Sequence, residues 1–278
     1  MSEPLHPGVY IVGAGPGDPE LLTLKAHRML SQADVVLYAD SLIPQQLLDA
    51  VKPGAEVIQT ASKTLEEILP ILIDRVRSRR QSVVRLQSGD PSLYSAVHEQ
   101  IQALSAAEIP FEVIPGIGAF QAAAARLQVE LTVPELVQTI ILTRISGRTS
   151  VPATEDLASL AAHQASLCLY LSAHHVEAAQ AKLLAHYPPD TCVAICFRLG
   201  WPDEQLWVVS LDRMAAVTRS QRLERTTLYL VSPALNPALT KGARSRLYHP
   251  DRAHLFRPAS VAVEAEMSAK NRLFEQKT

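Results

Sequence analysis

Over the first half of the chain, short apolar runs alternate with longer amphipathic stretches. Val9–Val12, Ala33–Tyr38, Glu56–Gln59, Ser82–Leu86 and Phe111–Ile114 predict strands, and the first, short and β-branched, suits a buried one. Between and after them, residues 20–31, 42–51, 65–77, 92–105 and 120–127 read as helices. Thr64 followed three residues on by Glu67 has the form of a capping box at the start of the third helix. From about Leu131 the pattern becomes richer in strand, with runs at 139–143, 167–171, 192–197, 206–210 and 226–231. Helices are expected there over 156–162 and 176–186. The expected class is α/β, with a parallel first sheet and a mixed second one. The expected domains are residues 1–124 and 125–235, followed by an extension over 236–278.

Three of the first-half strands run into glycine-bearing loops. Gly13, Gly15 and Gly17 follow the first strand, with Pro16 among them and Asp18 after. Gln87-Ser88-Gly89-Asp90-Pro91 follows the fourth, and Pro115-Gly116-Ile117-Gly118-Ala119 the fifth. Proline and glycine together forbid regular helix, so each is a sharp loop. In an α/β sheet such loops lie at the carboxyl edge, where ligands bind. For the first loop a tight turn and a ligand loop are equally open, and for each of the others alone a tight turn is favoured, but three such loops after three strands together point to a ligand site. The alanine run after the third loop permits close helix packing or room for a flat ligand. A dinucleotide fingerprint fits poorly. Gly13, Gly15 and Asp18 give GxGxxD, and Pro16 stands where a pyrophosphate turn needs amide donors. Asp40 and Ser41, after the second strand, could look into a cleft or cap the surface.

Composition narrows the function classes. The 278 residues carry 26 Lys and Arg against 28 Asp and Glu, a net charge of −2, which argues against a dedicated nucleic-acid binder. Cys168, Cys192 and Cys196 sit in apolar surroundings with no closed metal-site spacing, so no metal is expected. No apolar run reaches the ~18 residues of a membrane span and no secretory signal stands at the start, so a cytoplasmic enzyme is expected. From Leu235 on, eight Lys or Arg face four Asp or Glu, which reads as a basic, partly helical extension.

VGAGPGDPELLTLKA (12–26), ADVVLY (33–38), RLQSGDPSLY (85–94) and PGIGAFQAAAA (115–125), in this order, resemble the tetrapyrrole methyltransferase family. The resemblance covers about residues 8–233. LTRISGRTSVP (142–152), LCLYLSAHH (167–175), FRLGWPDE (197–204) and SRLYHPDRAHLFR (245–257) resemble the precorrin branch. The chain departs from the uroporphyrinogen branch. That branch's proposed acid–base aspartate falls on Ala39, and its Gly-Lys-Arg motif is absent around Thr60 to Lys63.

The resemblance implies two α/β domains with the active-site cleft between them, a homodimer, S-adenosylmethionine as cofactor and a tetrapyrrole acceptor methylated at a pyrrole-derived carbon, C11. No nucleic acid or membrane partner is implied. The cofactor residues it implies are Pro16, Ser88, Gly89, Asp90, Leu93, Gly118, Ala119, Leu171 and Ala194. A large polyanionic acceptor needs cations at strand ends. Arg144, Arg148 and Arg198 are the candidates, with His174 beside His175, while Asp18 and Asp40 are candidates for proton handling. The competing class is a nicotinamide oxidoreductase or a nucleotide-binding module, which Pro16 and the lack of a ribose-binding acid motif speak against.

Overall fold

The computed structural model describes residues 4–147 and 149–246, together with 249, 252 and 254–257, and it contains two sheets in succession. The first holds β1 (Gly8–Gly13), β2 (Val35–Tyr38), β3 (Glu56–Gln59), β4 (Ser82–Gln87) and β5 (Phe111–Ile114). Their order is β3-β2-β4-β1-β5 and every pair is parallel. Alternate side chains of β1 feed two cores. Val9 and Ile11 pack with Ile68, Leu72 and Val76 of α2 (Leu65–Arg77) and Leu104 of α3 (Val97–Ala106). Val12 packs with Met29 and Leu30 of α1 (Leu24–Leu30). Helices therefore cover both faces, which is why the inner strands β1 and β2 read as continuous apolar runs, while the edge strands β3 and β5 stay largely exposed. The capping box forms, with Thr64 N–H donating to Glu67 Oε2 at 2.7 Å.

Three expected helices are shorter than the pattern suggested, each for a local reason. Residues 20–31 break at Thr23, which stays extended and caps α1 by accepting from Ala26 N–H at 3.1 Å, leaving only a 3-10 turn at Pro19–Leu21 before it. Residues 42–51 hold a 3-10 helix, Gln45–Ala50, entered from an extended Pro44. In 92–105, Tyr94 and Ala96 take left-handed backbone (φ 53° and 50°), so α3 begins only at Val97.

The second sheet holds β6 (Ile140–Arg144), β7 (Ser166–Tyr170), β8 (Cys192–Phe197), β9 (Gln205–Ser210) and β10 (Thr227–Val231), in the order β6-β7-β10-β8-β9. Only β6 and β7 are parallel, so the sheet is mixed, as expected. One face packs on α5 (Leu157–Ala161), α6 (Val176–Leu184) and α7 (Met214–Ser220), the last lying where the sequence pattern assigns no element. The other face packs on α4 (Ala119–Leu127), whose Ala123 sits among Cys168, Ala194, Cys196 and Leu230. Small side chains let this helix close down on the sheet. It grows out of the first sheet's last loop and runs unbroken through residues 124 and 125, so the two domains are joined by a shared helix rather than a linker. Of the extension, α8 (Pro237–Thr240) is described and most of the rest lies outside the described residues. No helix among the described residues is long and apolar enough to cross a membrane.

Candidate active site

The glycine loops are bound to one another. Ala14 N–H donates to Gln87 O at 2.8 Å, and Gly15 and Gly89 exchange both backbone hydrogen bonds, at 3.1 and 2.8 Å. A Cβ on Gly13 would stand 2.5 Å from Gly116 N and 2.9 Å from Gly89 O, so three backbones meet where no side chain fits. Asp90 locks the cluster. Its Oδ2 accepts from Gly116 N–H at 2.8 Å, and its Oδ1 accepts from Ser92 N–H at 2.8 Å and from the Ser92 hydroxyl. Burial alone would raise the Asp90 pKa, but the hydrogen bonds from Ser92 and Gly116 outweigh it and hold the carboxyl below its ordinary value. Because Gly15 and Gly89 satisfy each other, neither amide is left for a pyrophosphate. Geometry thus removes the dinucleotide reading.

The opposite wall comes from the second sheet. β7 ends at Tyr170, and Leu171 follows in left-handed backbone (φ 52°) with 67% of its surface exposed. The Tyr170 hydroxyl accepts from Phe120 N–H in the first turn of α4 at 3.2 Å, and its ring lies 5.4 Å from that of Tyr94. Burial pushes the Tyr170 phenol far up, so it stays a neutral hydroxyl at any working pH. Beyond β8, the 198–204 loop presses on the first glycine loop. A Cβ on Gly200 would lie 2.5 Å from Asp18 N, and one on Gly17 2.7 Å from the Trp201 ring. Gln46 Nε2 donates across the seam to Gly17 O (2.9 Å) and Gly200 O (3.1 Å). Arg126 adds ion pairs to Glu204 (3.1 Å) and Asp18 (3.8 Å).

Between these walls lies a cavity of about 340 Å³, within the range of small-molecule sites. Pro16, Ser88, Gly89, Asp90, Leu93, Gly118, Ala119 and Leu171 all line it, with His174 and Arg198. Ala194 lies away from it, fully buried in β8 on the face that packs against α4, while Cys196, two residues on, reaches the cavity. Arg144 is not on its wall. Its guanidinium donates to Thr149 O at 2.9 Å and Ser150 O at 3.0 Å, bracing its own loop. Arg148 lies outside the described residues. Asp18 caps the Pro19–Leu21 turn by accepting from Glu20 N–H at 2.9 Å. Asp40 accepts from Ala61 N–H at 3.2 Å and lines a second cavity beside the first.

Sequence reading missed Tyr94, Tyr170, Trp201 and the 224–228 segment, which also line the first cavity. Single aromatics at strand ends and loop tips carry no spacing that marks them. Tyr170→Phe is expected to leave Phe120 N–H without its acceptor, cost about 1 kcal/mol and weaken ligand binding several-fold by loosening α4. Thermal melting and ligand titration of that variant check this, and unchanged values for both would remove Tyr170 as the brace of α4.

A family profile described as tetrapyrrole (corrin/porphyrin) methylases matches residues 8–215. The chain belongs to this family. It is 41% identical over 251 residues to a cobalt-precorrin-4 C(11)-methyltransferase of Priestia megaterium, covering 90% of this chain and 97% of that one. It is 43% identical over 250 residues to a precorrin-4 C(11)-methyltransferase of Pseudomonas aeruginosa, covering 90% and 98%. Among solved structures, a cobalt precorrin-4 methyltransferase superposes with a TM-score of 0.79 at 41% identity, over 82% of this chain and 96% of that one. A Thermus thermophilus uroporphyrin-III C-methyltransferase complexed with S-adenosylhomocysteine superposes at 0.69 and 28% identity, over 82% and 98%. The methylase therefore has the two-domain α/β architecture of its relatives, and its interdomain cavity sits where the α/β rule places ligands.

Proposed function

We propose that this methylase transfers a methyl group from S-adenosylmethionine to C11 of precorrin-4 or cobalt-precorrin-4. The observation that carries the reading is the cavity at the seam of the two domains, enclosed by the interlocked loops of a chain that matches precorrin-4 C11-methyltransferases along nearly their whole length. The residues fit the donor. Leu93, Tyr170 and Leu171 offer apolar walls to a nucleoside, and the exposed edge of the 88–90 and 118–119 backbone offers polar groups to its amino-acid and ribose parts. When bound, the donor's sulfonium would supply an electrophilic methyl carbon to the acceptor's ring carbon, with a neutral thioether as the leaving group.

Such a transfer needs no protein nucleophile, and the cavity's one cysteine is not an activated thiol. Burial pushes the Cys196 thiol up to about 12, keeping it protonated. The chain's contribution is to align donor and acceptor and to exclude water. Asp90 acts here as a positioning residue, holding the cofactor loops at fixed separation. Asp18 does the same for the seam through its cap on the 19–21 turn, and Asp40, which lines the second cavity with Glu224, is the candidate for proton handling on the acceptor. The reading includes a homodimer, as the family resemblance implies, and residues 236–278 as an appendage to the two catalytic domains.

Anaerobic incubation with a donor carrying a ¹³C methyl group tests the function. Each of precorrin-4 and its cobalt complex is supplied in turn, and the label is located by NMR. The expected result is a single label at C11. A label at another carbon, or S-adenosylhomocysteine binding with no transfer to either acceptor, overturns the assignment.

A further inference from the structure

The second cavity, of about 440 Å³, opens beside the first, and the two share Arg198, Trp201, Glu224, Arg225 and Thr226 as a common wall. Asp40 and Arg222 face the second cavity only. We propose that Arg222 and Arg225 bind carboxylate side chains of the tetrapyrrole in this second cavity and so decide which ring carbon is presented to the donor. The proposal rests on the function given above and adds to it the residues that orient the acceptor.

Three observations converge on this pair. Arg198, the strand-end cation, already has part of its charge offset. Its guanidinium stacks 3.9 Å over the Trp201 ring, and its Nε lies 2.9 Å from Asp203 Oδ1, within ion-pair range but not aligned for a hydrogen bond. With one face on the indole and a carboxylate beside it, it is the less available of the arginines on this wall. Arg144 is likewise engaged with its own loop and lines neither cavity. Arg222 and Arg225, by contrast, are exposed and have no ion-pair partner among the described residues.

The segment that carries them is fixed at both ends. Leu223 N–H donates to Thr218 O at 3.0 Å, and Arg198 N–H donates to Thr226 O at 2.9 Å, tying it to the loop that holds Trp201. Arg222 and Thr226 both adopt left-handed backbone, at φ 55° and 49°. Left-handed backbone is unfavourable for non-glycine residues and persists where surrounding structure demands it. Two planar guanidiniums on a rigid segment suit bidentate capture of carboxylates. Asp40 and Glu224 share the wall and repel misplaced carboxylates, so the five charges form a pattern that reads orientation and not merely total charge.

The test compares wild type with Arg222→Ala, Arg225→Ala, the double variant and the corresponding lysine substitutions. Precorrin-4 is the acceptor, and S-adenosylhomocysteine binding is titrated separately. Each alanine variant is expected to raise the acceptor KM about tenfold or more, a charge-assisted bond's worth, and in Arg222→Ala, whose side chain faces the second cavity only, the S-adenosylhomocysteine Kd is expected to stay within about twofold of wild type. Lysine is expected to restore part of the KM, the dependence of KM on salt to flatten in the double variant, and methylation away from C11 to appear. A double variant with unchanged KM and salt dependence overturns the inference. So does a KM rise matched by an equal loss of S-adenosylhomocysteine affinity, which would show collapse of the shared wall. If the wild type methylates neither precorrin-4 nor its cobalt complex, the functional reading fails instead. Fluorescence titration with uroporphyrin III, a ring bearing carboxylates on every pyrrole, then judges the arginines alone, and equal affinity in wild type and double variant overturns their role.

Discussion

Gly116→Ala is expected to abolish S-adenosylhomocysteine binding and to lower the melting temperature by about 5 °C or more, the effect of overpacking by 1–3 kcal/mol in a chain of this size. The added Cβ would press on the Gly89 carbonyl oxygen and stand 2.8 Å from Gly13 Cα. Both neighbours are backbone, and both are pinned, Gly13 in β1 against β4 and Gly89 by its paired bonds to Gly15. Nothing flexible can yield, so the 115–118 turn must move away and take Gly118 and Ala119 with it off the cavity wall. Gly54→Ala is the control. Gly54 has φ 84° but open space around its Cβ direction, so the substitution there costs only backbone strain, about 1 kcal/mol, and leaves ligand binding intact. Gly118→Ala falls between, because its Cβ would meet the Gln121 and Phe120 side chains at 3.2–3.3 Å, and side chains can adjust. Calorimetric titration and melting curves of the three variants read this order directly. A Gly116→Ala protein that binds like the parent would mean that the loops are not interlocked.

The inner strands β1, β2 and β4 were legible because burial on both faces favours continuous apolar runs, whereas β3 and β5, largely exposed strands at the sheet's edges, kept their expected bounds through β-forming residues set between turn signals. The helices were less so wherever a local device competed with the apolar pattern, as at Thr23, Pro44 and the left-handed Tyr94 and Ala96. The glycine loops were legible as sharp loops, but not for what their glycines do. A glycine needed for a ligand and a glycine needed for another backbone leave the same trace in a sequence. Only the three-way contact of Gly13, Gly89 and Gly116 separates them. Cations at strand ends were ambiguous for a similar reason. Arg144 and Arg198 hold similar positions, at or just after a strand's end, yet one braces a loop and the other stacks on Trp201. Arg85 was invisible to this reasoning altogether. It lies within β4, 7% exposed, donating to Thr60 Oγ1 at 2.8 Å, and burial lowers its pKa to about 10. The central cavity residues were found through a resemblance carried by motifs, which records the positions without their geometry.

Asp90→Ala is expected to weaken S-adenosylhomocysteine binding about tenfold or more, because it strips acceptors from part-buried donors at a cost of about 1–3 kcal/mol. Gly116 N–H and Ser92 N–H both lose their partner, and the 88–92 and 115–118 loops lose the one side chain that spans them. Asn is expected to fail nearly as badly. Its single amide oxygen satisfies either Gly116 or Ser92, and its NH₂ then faces the other N–H. Ser92→Ala is milder, since the backbone bonds remain. The pH dependence carries an independent signature. The folded Asp90 carboxyl lies below its ordinary value, so its stabilising contribution is complete above the unfolded pKa and is lost as pH falls through the folded one. The melting-temperature gap between wild type and Asp90→Ala is therefore expected to be constant from neutral pH down to about 5 and to close only below the ordinary aspartate value of about 4. Parallel melting curves across that range check it. A gap that closed near neutrality, or no gap at all, would mean that the carboxylate does not hold the two loops together, and the cofactor wall would then rest on the glycine contacts alone.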